Sequence, residues 1–516
     1  MNAPNPEWTH GYRTDLEYTF GVYTFLNPDL LLLRAVMSGV KPSTSILSGG
    51  AEDTRGLVYC DLGCGQGMTT NLMAARDPSG TYFGIDYNEA MIANAKALAE
   101  DAKITNVTFL AESFANLLSL DMPNCDVVVM HGIWSWVDDG LRQNIIDFLK
   151  KKLKPGGICF VSYNSAVGRN DGPMRELLRL AERSSSATGE ARVNEAITLA
   201  NQVAKGGAKY FRQHPAAAER LASLADKGAR YVTHEYLNTS WNPFFFRDVA
   251  VHFARAGLGY AGSSEHVWNR NDLSLPDEAQ PLLSRVSAVE DVELIKDIWA
   301  GNAFRKDIFI KGRTILSTAE QEKLLAPLHF ASIRAPELLK YQIEIPVGFA
   351  NLDEKLYGKI FATLQQGPIS GAELIQHAKT HGTTLLNVLE PLLIANYVAL
   401  CGPRGAGGRI SAPLARLDAA MERLNDKGKD VQLASLPGLA TATALMPLDY
   451  LIWQAGKAKA SDRALHVFNT MKRHGRQVMQ NNAIVADEKQ ARQLLSETVA
   501  LYDKHVAPVL LAGTEP

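Results

Sequence analysis

The chain has 516 residues, 46% hydrophobic and 21% charged, which excludes a disordered or fibrous protein and predicts two to four domains, each with its own core. Its 53 Lys plus Arg stand against 55 Asp plus Glu, a formal net charge of −2, so no global field draws nucleic acid or an anionic membrane. Five scattered cysteines, at 60, 64, 125, 159 and 401, form neither a disulfide framework nor a Cys-x-x-Cys metal site.

The first residues, "MNAPNPEWTH", have no basic or apolar leader character, and no later run approaches the roughly 18 apolar residues of a membrane span. A cytoplasmic protein without membrane insertion is expected. From Leu57 the pattern becomes regular. "LVYCDLG" reads as a buried strand, "GMTTNLMAAR" as a helix, "GTYFGID" as a second strand, and "NEAMIANAKALAEDA" as a helix capped by Asn88. "NVTFLAES" and "CDVVVMHG" are the third and fourth strands; "LRQNIIDFLKKKL" is a helix, and after the turn "KPGG" comes the fifth strand, "GGICFVSYN". Alternating strand and helix predict a doubly wound, mostly parallel sheet with its ligand at the carboxyl ends of the strands.

The rhythm changes after that. Residues 170–240 are helical throughout, an insertion with a regulatory, substrate-selecting or dimerising role, while 241–312 return to helix, strand, helix and strand and complete a seven-stranded sheet. Residues 313–344 read as a connector. Residues 345–409 combine short helices with a closing strand, the pattern of a winged-helix-like module whose wing or linker is "GPRGAGGR" at 402–409, and 410–516 read as helical.

The stretch "VYCDLGCGQG" carries the chemistry. Its glycines, Gly63, Gly65 and Gly67, follow a G-x-G-x-G spacing that fits poorly with the G-x-G-x-x-G of dinucleotide binding. With Asp61 ahead of the loop and Asp86 closing the second strand, the pattern resembles the class I S-adenosylmethionine-dependent methyltransferases. That resemblance implies a Rossmann-like core over residues 1–169, including an N-terminal lid, in which the glycines let the backbone approach S-adenosylmethionine closely. It also implies that Asp61 suits the cationic end of the cofactor and that Asp86 accepts hydrogen bonds from its ribose. Tyr87 would lie against the adenine, with Glu112, Ser113 and Phe114 at the end of the third strand.

The segments "YRTDLEYTFGVYTFLNPDLLLLRAVMSG", "MHGIWSWV", "VSYNSAVG" and "YVTHEYLNTSWNPFFFRDVAVHFARAGLGY" resemble bacterial methyltransferases with a methyltransferase regulatory domain, among them the rickettsial protein-lysine methyltransferases. The likeness implies an acceptor site built from His131, Trp134, Tyr163 and Asn164, with Trp136 nearby and Tyr12, Tyr18 and Tyr23 in a lid. Trp134 and Trp136 equally suit plain packing, and His131 a structural hydrogen bond; His234 and Glu235 are weaker candidates in the insertion. The strand-four motif of enzymes that methylate DNA amino groups and the Pro-Cys pair of C5-methylating enzymes are both missing. Those absences argue against nucleic acid as the acceptor; the resemblance to the rickettsial enzymes implies a protein substrate. A small metabolite or glycan as acceptor, a non-catalytic regulator and a homodimer all remain open.

Overall fold

The computed structural model describes residues 20–43, 56–169, 171–401, 412–426, 431, 433–435, 439, 442–444, 447–473, 475–480 and 483–507. Seven strands build the central sheet: β1 (Val58–Leu62), β2 (Thr81–Asp86), β3 (Val107–Ala111), β4 (Cys125–Met130), β5 (Leu153–Asn164), β6 (Leu258–Ser263) and β7 (Phe304–Lys311). Their order is β3-β2-β1-β4-β5-β7-β6. The first five run parallel, whereas β7 enters antiparallel between β5 and β6. The chain reverses order at β1 and β4, the crevice where open α/β sheets bind ligands.

Successive side chains on a strand alternate between faces, and two apolar cores result. One face packs Tyr59, Val127, Val129, Phe160 and Ile308. The other packs Cys60, Val128, Met130, Val161, Tyr163 and Phe309. Asn88 caps the helix Glu89–Asp101 by accepting from the backbone N–H groups of Ala90 and Met91, which frees that helix end from unsatisfied donors. β5 starts at Leu153, so the expected turn "KPGG" lies inside the strand; a register shift against β4 between Cys125 and Val127 absorbs it.

The insertion is helical as read. The helices Gly172–Ser184, Gly189–Lys205, Lys209–Gln213 and Pro215–Tyr236 enclose their own core around Met174, Leu178, Ile197 and Leu221. The last of them breaks at Gly228, whose φ of 81° leaves the helical region.

The C-terminal region departs from the reading in two ways. β8 (His329–Ser332) comes from the expected connector, yet it is the central strand of a three-stranded sheet, between Ile369–Ser370 and Val398–Leu400. The module that holds the helices Glu354–Gln366, Gly371–Thr380 and Leu385–Ile394 therefore needs residues ahead of 345. Beyond 410 the chain is not wholly helical, because Leu433–Ser435 pairs with Ala442–Ala444 and Met479–Gln480 with Ala483–Ile484. The segment at 402–409 lies outside the described residues. Among the described residues no helix is long and apolar enough to cross a membrane.

Candidate active site

The glycine turn joins β1 to the helix Met68–Arg76, and all three glycines have positive φ: 80° at Gly63, 53° at Gly65 and 67° at Gly67. Two of them are required by the protein's own packing. A Cβ on Gly63 would sit 2.1 Å from Ile133 Cδ1, and one on Gly67 would sit 2.4 Å from the Ala95 methyl. Sequence reasoning assigned their smallness to a ligand alone; Ile133 and Ala95, distant in sequence, supply this second reason.

Three carboxylates line the carboxyl ends of β1, β2 and β3. Asp61 is buried and accepts a hydrogen bond of 2.8 Å from the Thr70 hydroxyl. Burial, together with the nearby Asp86 charge, pushes the Asp61 carboxyl up to about 7 against the pull of Thr70. Asp86 accepts the backbone N–H of Gly65 at 3.0 Å and that of Asn88 at 2.9 Å. Burial raises its pKa, and those two bonds oppose the rise. Glu112 accepts from Asn116 Nδ2 at 3.1 Å and donates its backbone N–H to the Asp86 carbonyl. Ser113 caps the short helix Phe114–Ser119, and Phe114 packs into the core. Tyr87 is half-buried beside Asp86.

On the same face, His131 follows β4. Its ring centroid lies 4.3 Å from Tyr23, 5.1 Å from Phe25 and 5.9 Å from Phe304. Ser162 Oγ sits 2.8 Å from His131 Nδ1 and accepts the Gly132 N–H at 2.8 Å. That contact fixes the Nδ1 side of the ring. Lys306 lies over the Phe25 ring at 5.1 Å. Burial first, then the Lys306 charge, lowers His131 to about 4, so its imidazole is neutral at physiological pH. Tyr23 also donates its backbone N–H to Thr69 Oγ1 at 3.0 Å, tying the N-terminal segment to the helix after the glycine turn.

Two expected acceptor residues fall elsewhere. Trp134 is fully buried on the opposite face, packed on Phe253 at 5.2 Å and on His252. Tyr163, also on that face, donates its hydroxyl to Asp307 at 2.6 Å. Strand alternation is the physical reason: Ser162 and Tyr163 are neighbours, so they point to opposite sides of the sheet. Trp136 is buried as well. Asn164 is buried and accepts from Arg169 Nη1 at 3.1 Å, at the foot of the insertion, where Glu235 lies 3.8 Å from Arg169 and His234 is buried. Tyr12 and Tyr18 lie outside the described residues. Sequence reasoning missed Phe25, Ser162, Phe304 and Lys306. The even spacing of Phe160 and Ser162 was a usable signal for β5; nothing local marked Phe304 and Lys306.

The carboxylates and backbone turn of β1 to β3 suit a ligand with cationic and hydroxyl groups, and comparison with known proteins narrows the choice. A methyltransferase-domain model matches residues 53–219, and a predicted methyltransferase regulatory domain matches 228–311. An uncharacterized protein of Synechocystis is 29% identical over 507 residues, 98% of each chain. An uncharacterized protein of Rickettsia prowazekii is 31% identical over 183 residues, covering 34% of this chain and 71% of that one. The chain belongs to the methyltransferases that carry a methyltransferase regulatory domain. The structure of PKMT2 from Rickettsia typhi in complex with AdoHcy shares its fold, with a TM-score of 0.66 and 18% identity over 94% of this chain and 98% of that one.

This methyltransferase depends on S-adenosylmethionine. The donor set fits that cofactor: Asp61 is a buried acid with no cationic partner among the described residues, and Asp86 and Glu112 keep carboxylate oxygens at neighbouring strand ends. The regulatory domain of the methyltransferase falls mainly on the second half of the sheet rather than on the helical insertion. From there it contributes Phe304 and Lys306 to the surroundings of His131.

Proposed function

We propose that this methyltransferase transfers methyl groups to lysine amines of a protein, with its acceptor at His131. The observation that carries the reading is the lowered pKa of His131 amid Tyr23, Phe25 and Phe304. Burial and the Lys306 charge that keep this imidazole neutral act in the same direction on a lysine amine placed beside it. Only the neutral amine has the lone pair that attacks a methyl group. The whole-chain likeness to PKMT2 and the resemblance to rickettsial protein-lysine methyltransferases agree with this reading.

When bound, S-adenosylmethionine supplies the electrophilic methyl group. The chain's own residues do the rest. Asp61, Gly63, Gly65, Gly67, Asp86, Tyr87, Glu112, Ser113 and Phe114 would hold the cofactor, Asp61 facing its positive charge and Asp86 its ribose. Tyr23, Phe25 and Phe304 exclude water and hold the alkyl stem and ammonium by ring contacts worth about 0.5–2 kcal/mol. His131 Nε2, aimed by the bond to Ser162, accepts a hydrogen bond from the amine and aligns its lone pair. Its weak basicity makes it a positioning group, and the protons stay on the nitrogen, which becomes the methylated ammonium. The insertion and the C-terminal region, read as a winged-helix-like module, then select the acceptor protein in the cytoplasm.

Mass spectrometry of whole-cell protein from strains with and without the enzyme tests this. Lysines carrying one to three methyl groups only in the enzyme-containing strain support the reading. Label from S-adenosylmethionine appearing solely in a compound of low molecular weight overturns it in favour of a metabolite acceptor.

A further inference from the structure

The proposed acceptor pocket already contains a lysine of the protein's own. Ser162 on β5 pairs in register with Lys306 on β7, and its Oγ lies 2.8 Å from His131 Nδ1, so His131, Ser162 and Lys306 form a row across one face of the sheet. Two strand spacings, about 10 Å in all, separate the backbones at the ends of that row, and a lysine side chain is long enough to bridge most of it. Phe25 fills the space between. Its ring centre is 5.1 Å from Lys306 Nζ and 5.1 Å from the His131 ring. Phe304, two residues before Lys306 on the same face of β7, closes on His131 at 5.9 Å. The ring contact proposed for an incoming ammonium is therefore made by Lys306 itself.

This amine is neither buried nor firmly held. The Lys306 side chain is 25% exposed, and Glu265, its ion-pair partner at 2.9 Å, is 44% exposed. Glu265 also faces the charge of the buried Arg34, so one carboxylate serves two cations. Partly exposed ion pairs of this kind contribute little, and Nζ can leave Glu265 for the imidazole at small cost.

We propose that Lys306 is a modification site: the enzyme methylates its own Lys306 Nζ, within one chain, where acceptor lysines enter. The inference rests on the protein-lysine reading of the His131 site. The Lys306 ammonium first yields one proton to Glu265, which passes it to solvent. Nζ then forms a bond to the methyl carbon as the carbon–sulfur bond of the sulfonium breaks, the electron pair staying on sulfur and the remaining protons on nitrogen. Methyl groups replace N–H donors that face Glu265 but leave the positive charge, so the modified side chain keeps its seat on Phe25.

Two measurements on the full chain, with no other protein present, test the proposal. In the first, S-adenosylmethionine with a deuterated methyl group is added and peptides are mapped by mass spectrometry. The expected result is one to three deuterated methyl groups on Lys306, gained at a rate per chain that does not change with chain concentration. Lys306→Arg, which keeps a cation over Phe25, should remove that gain from the intact mass. The second needs no transfer by the enzyme: formaldehyde with cyanoborohydride methylates accessible lysines, and S-adenosylhomocysteine, the cofactor without its methyl group, should protect Lys306 severalfold while the exposed Lys379 reacts as before. An unlabelled Lys306 in the wild-type chain, a rate per chain that rises with concentration, or equal reactivity of Lys306 with and without S-adenosylhomocysteine would overturn the proposal. Labelled lysines on cell proteins beside an unlabelled Lys306 would sink this inference alone. Label on Lys306 without any on other cell proteins would leave it standing and count against the acceptor protein.

Discussion

Asp61 and Thr70 are joined by a 2.8 Å hydrogen bond across the mouth of the glycine turn, the hydroxyl donating to a carboxylate whose pKa burial has pushed up to about 7. A cation arriving beside Asp61 favours its ionised form, so cofactor binding should expel a proton near neutral pH. Affinity for S-adenosylmethionine should therefore rise between about pH 6 and 8 and then level off. Calorimetric titration in buffers of different ionisation enthalpy reads the proton directly. Asp61→Asn should bind more weakly and lose the pH dependence; an unchanged profile in that variant would remove Asp61 from the cofactor site.

Asp86 shapes the turn through Gly65 as well as facing the ribose position. Asp86→Ala should weaken cofactor binding by about 1.5–3 kcal/mol, the scale of hydrogen bonds to a charged group. Undiminished affinity by calorimetry counts against the assignment.

Gly63 and Gly65 should respond differently to substitution. At Gly63 a methyl group collides with Ile133, so Gly63→Ala should lower the melting temperature, and Ile133→Ala should restore part of the loss. Gly65→Leu should chiefly abolish cofactor binding, with a smaller cost in stability from its φ of 53°. Equal melting temperatures for wild type and Gly63→Ala would contradict the packing account.

His131 makes stability depend on pH in a definite direction. Its folded pKa of about 4 lies below the 6.5 of an unperturbed histidine, so the unfolded chain binds the extra proton first. The stabilisation is intact above pH 6.5 and is lost as pH falls from 6.5 toward 4, on the order of 2–3 kcal/mol for a ring edge partly open to solvent. His266, lowered to about 3 by burial and Arg34, acts in the same sense. Urea titrations at the two ends of that window should show His131→Phe losing less stability on acidification than wild type. The same variant should keep cofactor affinity while turnover drops.

The C-terminal region is packed onto the catalytic core and should not be removable at residue 345. Leu33, Val36 and Met37 of the helix Pro28–Met37 share a core with Phe330, Ile360 and Leu389, and Arg270 pairs with Glu390 at 2.7 Å. Gln321 Nε2 also bonds the carbonyls of Val36 and Met37. Truncation at 345 strands β8 and exposes that core, so loss of solubility is expected, whereas Arg270→Ala should spare the fold and lower the melting temperature modestly. A truncated chain with wild-type melting behaviour would refute this.

Sequence alone determined the alternation of strands and helices through 164, the cap at Asn88, the helical insertion, and the glycine turn with its acids on β1 and β2. All of these are written in local periodicity and in residues that follow one another within a few tens of positions. It also brought His131 and Tyr23 under suspicion, and the fold sets their rings 4.3 Å apart. Only the tertiary structure decided which face of the sheet each candidate serves. Trp134 and Tyr163 read as plausibly as His131, but both lie in the far core: a one-residue step along β5 turns Tyr163 away from Ser162, and the turn after β4 carries Trp134 onto Phe253. Phe304 and Lys306 reach His131 because β7 inserts antiparallel beside β5, a pairing across more than a hundred residues that no window of sequence contains. β8 is illegible in the connector for the same reason: its four residues acquire strand character only from the two partners that flank them.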